Sequence, residues 1–137
     1  MQKYSKLETA ITAQFKQLET EFHKKLVENE LQVILRSGAW VNDNGIGVGW
    51  LSCSYGNPSK ESLELTVDFK IDKENTFLDF GIYWTDGGFV EELGRFDVGS
   101  SDNFEKLIGE IEKSIDSMRE VGLSRYYLHL IENLDKI

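Results

Sequence analysis

The chain holds one cysteine, Cys53, and one proline, Pro58. A lone cysteine excludes an internal disulfide and suits a reducing compartment. No run approaches the roughly 18 apolar residues that a membrane span requires. The opening Met1-Gln2-Lys3-Tyr4-Ser5-Lys6 moves straight into a charged amphipathic pattern, without the continuous apolar run of a signal peptide. The expected location is cytoplasmic. Positive charge is also scarce, with 15 Lys+Arg against 24 Asp+Glu and a formal charge of -9. Such a field repels phosphate backbones and anionic lipid surfaces, so neither nucleic acid nor membrane is an expected partner. It attracts basic proteins, although acidity also serves plain colloidal solubility.

Catalytic and metal signatures are missing as well. His23 on the first helical stretch and His129 on the last have no carboxylate or cysteine at a zinc-ligand spacing, and both read as surface or core-edge residues. Cys53 stands between serines, away from any Lys, Arg or His that would lower its pKa, and reads as an inert, partly buried thiol. Gly45-Ile46-Gly47-Val48-Gly49 imitates a phosphate loop only in part. A dinucleotide fingerprint needs a third glycine where Trp50 stands, and a helix following the strand. Alternate glycines instead leave one strand face bare, which lets a helix or aromatic ring lie close or leaves room for a ligand. No catalytic residue, metal or cofactor is expected.

What the chain does contain is core-forming material: 40% hydrophobic residues over 137 positions, with 8 Phe, 3 Trp and 5 Tyr. That suits one folded domain, 1–137, able to bury about two thirds of its unfolded surface. Its clearest segment is 62–72, where Leu63, Leu65, Val67, Phe69 and Ile71 alternate with Glu64, Thr66, Asp68 and Lys70. This is a strand with one dry and one wet face. Ahead of it, Leu7, Ile11, Phe15, Leu18, Phe22 and Leu26 recur at helical spacing and define a long first helix. Its far end is ambiguous. Leu31, Val33 and Leu35 could alternate as a strand, or Leu31, Ile34 and Leu35 could extend the helix to about Arg36, with Gly38 as cap. We favour the extension.

Further on, apolar residues change faces between Trp50 and Leu51, which suggests a bulge, and Gly56-Asn57-Pro58-Ser59 forms the next turn. A two-residue loop at Lys73-Glu74 sets Phe69, Val67, Leu65 and Leu63 opposite Leu78, Phe80, Ile82 and Trp84. The same register sets Asp68 opposite Asp79 and Glu64 opposite Tyr83 on the wet face. Asp86-Gly87 marks a second hairpin into Phe89–Leu93, where either Glu91 or Glu92 must point inward; an inward charge suits a sheet edge, or a bulge before Gly94. Asp102 and Glu105 have capping-box spacing ahead of Ile108, Ile111, Ile115 and Met118. Gly122 ends that helix and Ser124 caps a short last one. The expected fold is α+β: a long N-terminal helix, a four-stranded antiparallel meander and two C-terminal helices on one face of the sheet.

The wet face is the candidate binding surface. Glu64, Asp68, Phe77, Asp79, Tyr83, Asp86, Glu91 and Glu92 combine rings for desolvated contact with acids for steering and for pairing with Arg or Lys. Facing carboxylates repel, so Asp68 and Asp79 call for compensation by Lys70, a metal or a partner's basic side chain.

Trp40-Val41-Asn42, then strands, then Phe96-Asp97-Val98 leading through Ser100-Ser101 into the Leu107-Ile108 helix, resembles the order of elements in the TriTu type of bacterial immunity protein. The small acidic α+β layout resembles immunity proteins of polymorphic and contact-dependent toxin systems more widely. The resemblance implies tight, non-catalytic binding of a cognate toxin, a basic one such as a nuclease. It assigns no functional residues, and the long first helix and the glycine run depart from it. Two other functions remain open. A small-ligand binder or enzyme would use a pocket at the glycine strand lined by Trp50, Tyr55, Trp84 and Tyr83. A homodimer would form through the first helix if its stripe exceeds what one sheet covers.

Overall fold

The computed structural model describes residues 3–100 and 102–137; Met1 and Gln2 of the charged opening and Ser101 of the Phe96-to-Leu107 run lie outside the described residues. Two helices, α1 (Ser5–Glu28) and α2 (Phe104–Glu132), enclose five strands: β1 (Ile34–Val41), β2 (Ile46–Ser54), β3 (Leu63–Lys70), β4 (Phe77–Trp84) and β5 (Phe89–Asp97). The strands form one antiparallel sheet in the order β1-β2-β3-β4-β5, each beside its neighbour in sequence. The expected α+β class and meander hold. The strand count and the number of C-terminal helices do not.

The additional strand is β1, which replaces the extension of the first helix. α1 stops at Glu28, with Glu30 in the left-handed region at φ 58°. Leu31 N–H donates to the Leu26 carbonyl at 2.9 Å and Glu30 N–H to that of Val27 at 3.1 Å, the paired bonds of a Schellman cap. The left-handed residue of such a cap is usually glycine, so a glutamate there hid the boundary. Glu30→Gly is expected to raise stability by about 0.5–1 kcal/mol, read as a higher midpoint in thermal unfolding. The inward positions of β1 are Leu35, Ser37, Ala39 and Val41, paired with Cys53, Leu51, Gly49 and Gly47. Ser37 breaks the apolar alternation at the position that would have revealed the strand. It is buried, and its hydroxyl donates to Glu19 Oε1 at 2.8 Å while its carbonyl accepts from Lys16 Nζ at 2.8 Å. Two polar residues of α1 thus satisfy it.

The second correction is that α2 runs unbroken through Gly122 and Ser124. Gly122 is buried in mid-helix, where an added Cβ would meet Leu65 at 3.8 Å, an ordinary contact. Packing on the sheet overrides its weak helix propensity. The helix cap is Asn103, whose side chain accepts from Lys106 N–H at 3.1 Å, one residue beyond the expected Asp102.

β2 carries no bulge at Trp50 and Leu51. Its pairing with β1 and β3 is continuous, so Gly47, Gly49, Leu51 and Cys53 face the helices while Ile46, Val48, Trp50 and Ser52 face away. The glycine positions are the dry face, and rings supplied by other elements fill their space. A Cβ on Gly49 would come 2.5 Å from the Phe15 ring and 2.7 Å from Ile11, and one on Gly47 would come 2.3 Å from Phe69. The register breaks lie between β4 and β5 instead, where Leu93 and Val90 are extra residues opposite Phe80/Gly81 and Ile82/Tyr83. β5 is therefore an edge strand, with one of its bulges immediately before Gly94.

Both helices cover one face of the sheet. The α1 stripe of Leu7, Ile11, Phe15, Leu18, Phe22 and Leu26 is buried against Leu51, Leu65, Val67 and α2 residues including Leu107, Ile111 and Tyr126. With every stripe residue at most 4% exposed, no surplus apolar surface remains along it to motivate a helix-mediated dimer. Arg119 joins the helices through Glu21 at 3.1 Å and also pairs with Asp116. Tyr126 is fully buried, and its hydroxyl donates toward the carbonyls of Leu51, at 3.3 Å, and Leu63, pinning α2 across β2 and β3. Burial also holds the Tyr126 phenol well above its ordinary pKa and pushes the Cys53 thiol up to about 12, so that thiol is not a nucleophile at neutral pH.

Candidate functional site

Helices on one side leave the other side of the sheet uncovered, and the register sets what it displays. One cross-strand row reads Gly38, Trp50, Thr66, Gly81, Glu92; the next reads Trp40, Val48, Asp68, Asp79, Arg95; a third reads Arg36, Ser52, Glu64, Tyr83, Phe89. The expected register between β3 and β4 holds throughout, although Ile71–Thr76 connects the strands in place of a two-residue turn. Asp72 Oδ1 organises that loop by accepting from Glu74 N–H at 2.8 Å.

Six of the eight expected surface residues share this open face: Glu64, Asp68, Phe77, Asp79, Tyr83 and Glu92. The other two do not. Asp86 lies in the β4–β5 turn, where its Oδ1 accepts from Gly88 N–H at 2.8 Å, and this bond leads the causes that hold its carboxyl below the usual range. Glu91, opposite Ile82, points to the helix face. There it accepts from Arg125 at 2.7 and 3.0 Å and lies 2.6 Å from His129 Nε2. Arg125, then His129, hold its carboxyl below the usual range. The inward glutamate is thus answered by two α2 side chains, and it anchors the edge strand to that helix.

Tyr83 is the centre of the open face. Gly81 beneath it has no side chain, and a Cβ there would come 2.7 Å from the Tyr83 ring. The ring therefore lies along β4 over its own strand, edge-on to Phe89 with centroids 5.8 Å apart. Burial, then Asp68, Glu92 and Asp79, raise the pKa of its hydroxyl. Trp50 is seated likewise over Gly38, where a Cβ would come 2.9 Å from its ring. Glycines thus bed two large rings against the sheet on opposite sides of Thr66, which is only 7% exposed.

The acids are crowded. Asp79 is answered by Arg95, whose Nε lies 2.8 Å from Oδ1 and whose guanidinium also covers the Phe77 ring at 4.8 Å. Within the chain, this arginine from β5 answers the Asp79 side of the Asp68–Asp79 pairing. Asp68 receives a weak 3.4 Å bond from Thr66. Crowding by neighbouring side chains, and then Asp79, push its carboxyl up despite that bond. Glu64 is raised by partial burial first and by Asp68 second. Among the described residues no cluster of three or more His, Cys, Asp or Glu side chains could hold a metal ion.

These raised values have a stability consequence. A carboxyl whose pKa is higher folded than unfolded binds more protons in the native state, so it costs stability as pH rises from the unfolded value, about 4, through the folded one. Glu64→Gln and Asp68→Asn are each expected to raise the neutral-pH melting temperature. The gain should disappear near pH 3, at roughly one unit below the unfolded values, because both groups are then largely protonated in either state. Thermal scans across that range check the sign.

Sequence reasoning missed Trp40, Trp50 and Arg95 as members of the face. Their positions follow from the β1–β2 and β4–β5 registers, which the misread β1 and the two bulges concealed. The pocket imagined at the glycine strand is not assembled. Trp84 pairs with Leu63 on the helix face, Trp50 and Tyr83 occupy the opposite face, and Phe15, Ile11 and Phe69 fill the glycine positions. Comparison of the chain with known protein families, characterised proteins and solved structures finds no match. No helix among the described residues is long and apolar enough to cross a membrane.

Proposed function

We propose that the chain is a non-enzymatic, cytoplasmic protein-binding module, an immunity-type inhibitor that holds a cognate basic toxin against the open face of its sheet. The observation that carries this reading is the composition of that face. Glu64, Asp68 and Glu92 surround bedded aromatic rings, at a cost in stability for Glu64 and Asp68 that their raised pKa values expose. Charged groups crowded together at a cost to stability are the pattern expected of a functional surface. Rings seated on glycine present area whose freedom is already restricted, and unpaired acids steer a cationic protein to them. The TriTu-like order of elements is a further, layout-level support. In this role the toxin's active site or substrate surface is occluded and the inhibitor performs no chemistry.

The reading is tested by passing host lysate over the tagged chain at low and high salt, followed by identification of what stays bound. Recovery of one basic protein in stoichiometric amount, with an association rate that falls as salt rises, is the expected result. If the host demonstrably expresses a neighbouring basic toxin and that toxin passes through unbound at both salts, the reading is wrong.

A further inference from the structure

Within the proposed basic partner, the open face distinguishes which chemical group is received at its centre. Tyr83 and Trp50 sit back on Gly81 and Gly38, and Thr66 between them is only 7% exposed, so what this part of the face presents outward is the half-buried Tyr83 ring. Glu64 and Asp68 lie two residues to either side of Thr66 on the same face, and Glu92 stands across from Gly81. Near Tyr83, Arg95 is engaged by Asp79 and Phe77, which leaves Glu64, Asp68 and Glu92 without an ion pair among the described residues.

We propose that the outer face of the Tyr83 ring is the receptor for a single arginine side chain of the basic partner, its guanidinium stacked on the ring and paired with Asp68 and Glu64. The proposal rests on the basic-partner reading and adds the anchor group to it. Three features favour a guanidinium over an ammonium. It is planar, so it can lie against a ring that is itself held flat on the sheet. Its fork of donors can satisfy two carboxylates that diverge from one strand. It is weakly hydrated, so it is the cation best suited to replace water over the Tyr83 ring. The chain offers its own precedent one row away, where the Arg95 guanidinium pairs with Asp79 while covering Phe77.

The test uses N-acetyl-arginine amide as probe, with N-acetyl-citrulline amide as its neutral near-isostere and N-acetyl-lysine amide as the ammonium. Backbone amide NMR shifts are followed in the wild-type chain, in Glu64→Gln/Asp68→Asn, and in Glu105→Gln on α2 as a remote acid control. Saturable shifts centred on Thr66, Gly81 and Tyr83 are expected for the arginine probe at millimolar concentration. They should weaken roughly five- to tenfold in the double variant and stay unchanged in the control. Citrulline should produce none, and lysine smaller ones. Equal shifts for arginine and citrulline, or arginine shifts that survive the double variant while its amide spectrum stays dispersed, overturn the proposal. So does a recovered partner that binds Tyr83→Leu and the double variant as tightly as wild type. In that case the basic-partner reading survives, because its own test is capture and salt dependence, not the Tyr83 ring.

Discussion

Reversing Glu64, Asp68 and Glu92 together to lysine is expected to weaken binding of the captured partner on the order of 100-fold, at roughly 1 kcal/mol or somewhat more per reversed charge. Most of the early loss should appear in the association rate at low salt, because each reversal adds two positive charges and the three together take the net charge from -9 to -3. Asp79 is left intact, since Arg95 already answers it and reversal would set two cations together. Glu91 is excluded for the same kind of reason. It holds Arg125 and His129 under the sheet edge, so its reversal would test the fold and not the surface. The variant should keep a native circular dichroism spectrum and a thermal midpoint close to wild type, because it exchanges one set of like charges for another on a face that no helix covers. Unchanged affinity in the folded triple variant would reject the open face as the binding surface.

The second large effect concerns the other side of the sheet. Phe15→Ala is expected to cost about 3–5 kcal/mol, the range for removing a fully buried aromatic side chain. Gly49→Ala should cost about 1–3 kcal/mol, because the new methyl would enter space occupied by Phe15 and Ile11 at 2.5 and 2.7 Å. The two should not add. With Phe15 truncated, the closest clash is gone and Ile11 can shift into the vacated space, so the alanine methyl at 49 fills part of the cavity and the double variant should be more stable than the sum of the single losses by roughly 1 kcal/mol or more. Urea unfolding of the four proteins measures this coupling. Strict additivity would mean that α1 does not press on β2 at this point.

The parts of the fold legible in the sequence are those where local pattern and tertiary environment agree. Leu63 to Phe69 alternate, β4 answers them residue for residue, and the register follows with the Asp68–Asp79 and Glu64–Tyr83 pairings. The α1 stripe is equally plain. Where the reading failed, a residue had been chosen for a long-range neighbour. Ser37 faces inward because Glu19 and Lys16 reach it. Gly47 and Gly49 face inward because rings from β3 and α1 occupy their volume. Gly122 continues a helix because it packs on the sheet against Leu65. Glu30 takes a glycine's place at a helix end. Except at Glu30, whose cap bonds are local, none of these partners is adjacent in sequence, so no local window contains the cause.

The candidate face divides in the same way. Glu64, Asp68 and Asp79 were visible from one hairpin, whereas its tryptophans needed the placement of β1, and the choice of Glu92 over Glu91 needed the β5 register and α2. A surface spread over five strands becomes readable only once every register is known.

The uninterrupted α2 also bears on how the protein comes into being. All four strand pairings join neighbours in the chain, so the sheet can assemble while the polypeptide is still leaving the ribosome. Its inner face, with Leu63, Leu65, Val67 and Phe80, stays partly bare until residues 104–132 have been made and Tyr126 reaches the carbonyls of β2 and β3. Birth of the molecule therefore has a waiting period with a sticky, half-roofed sheet, and a product that stalls within that window is a natural client for chaperones and proteases.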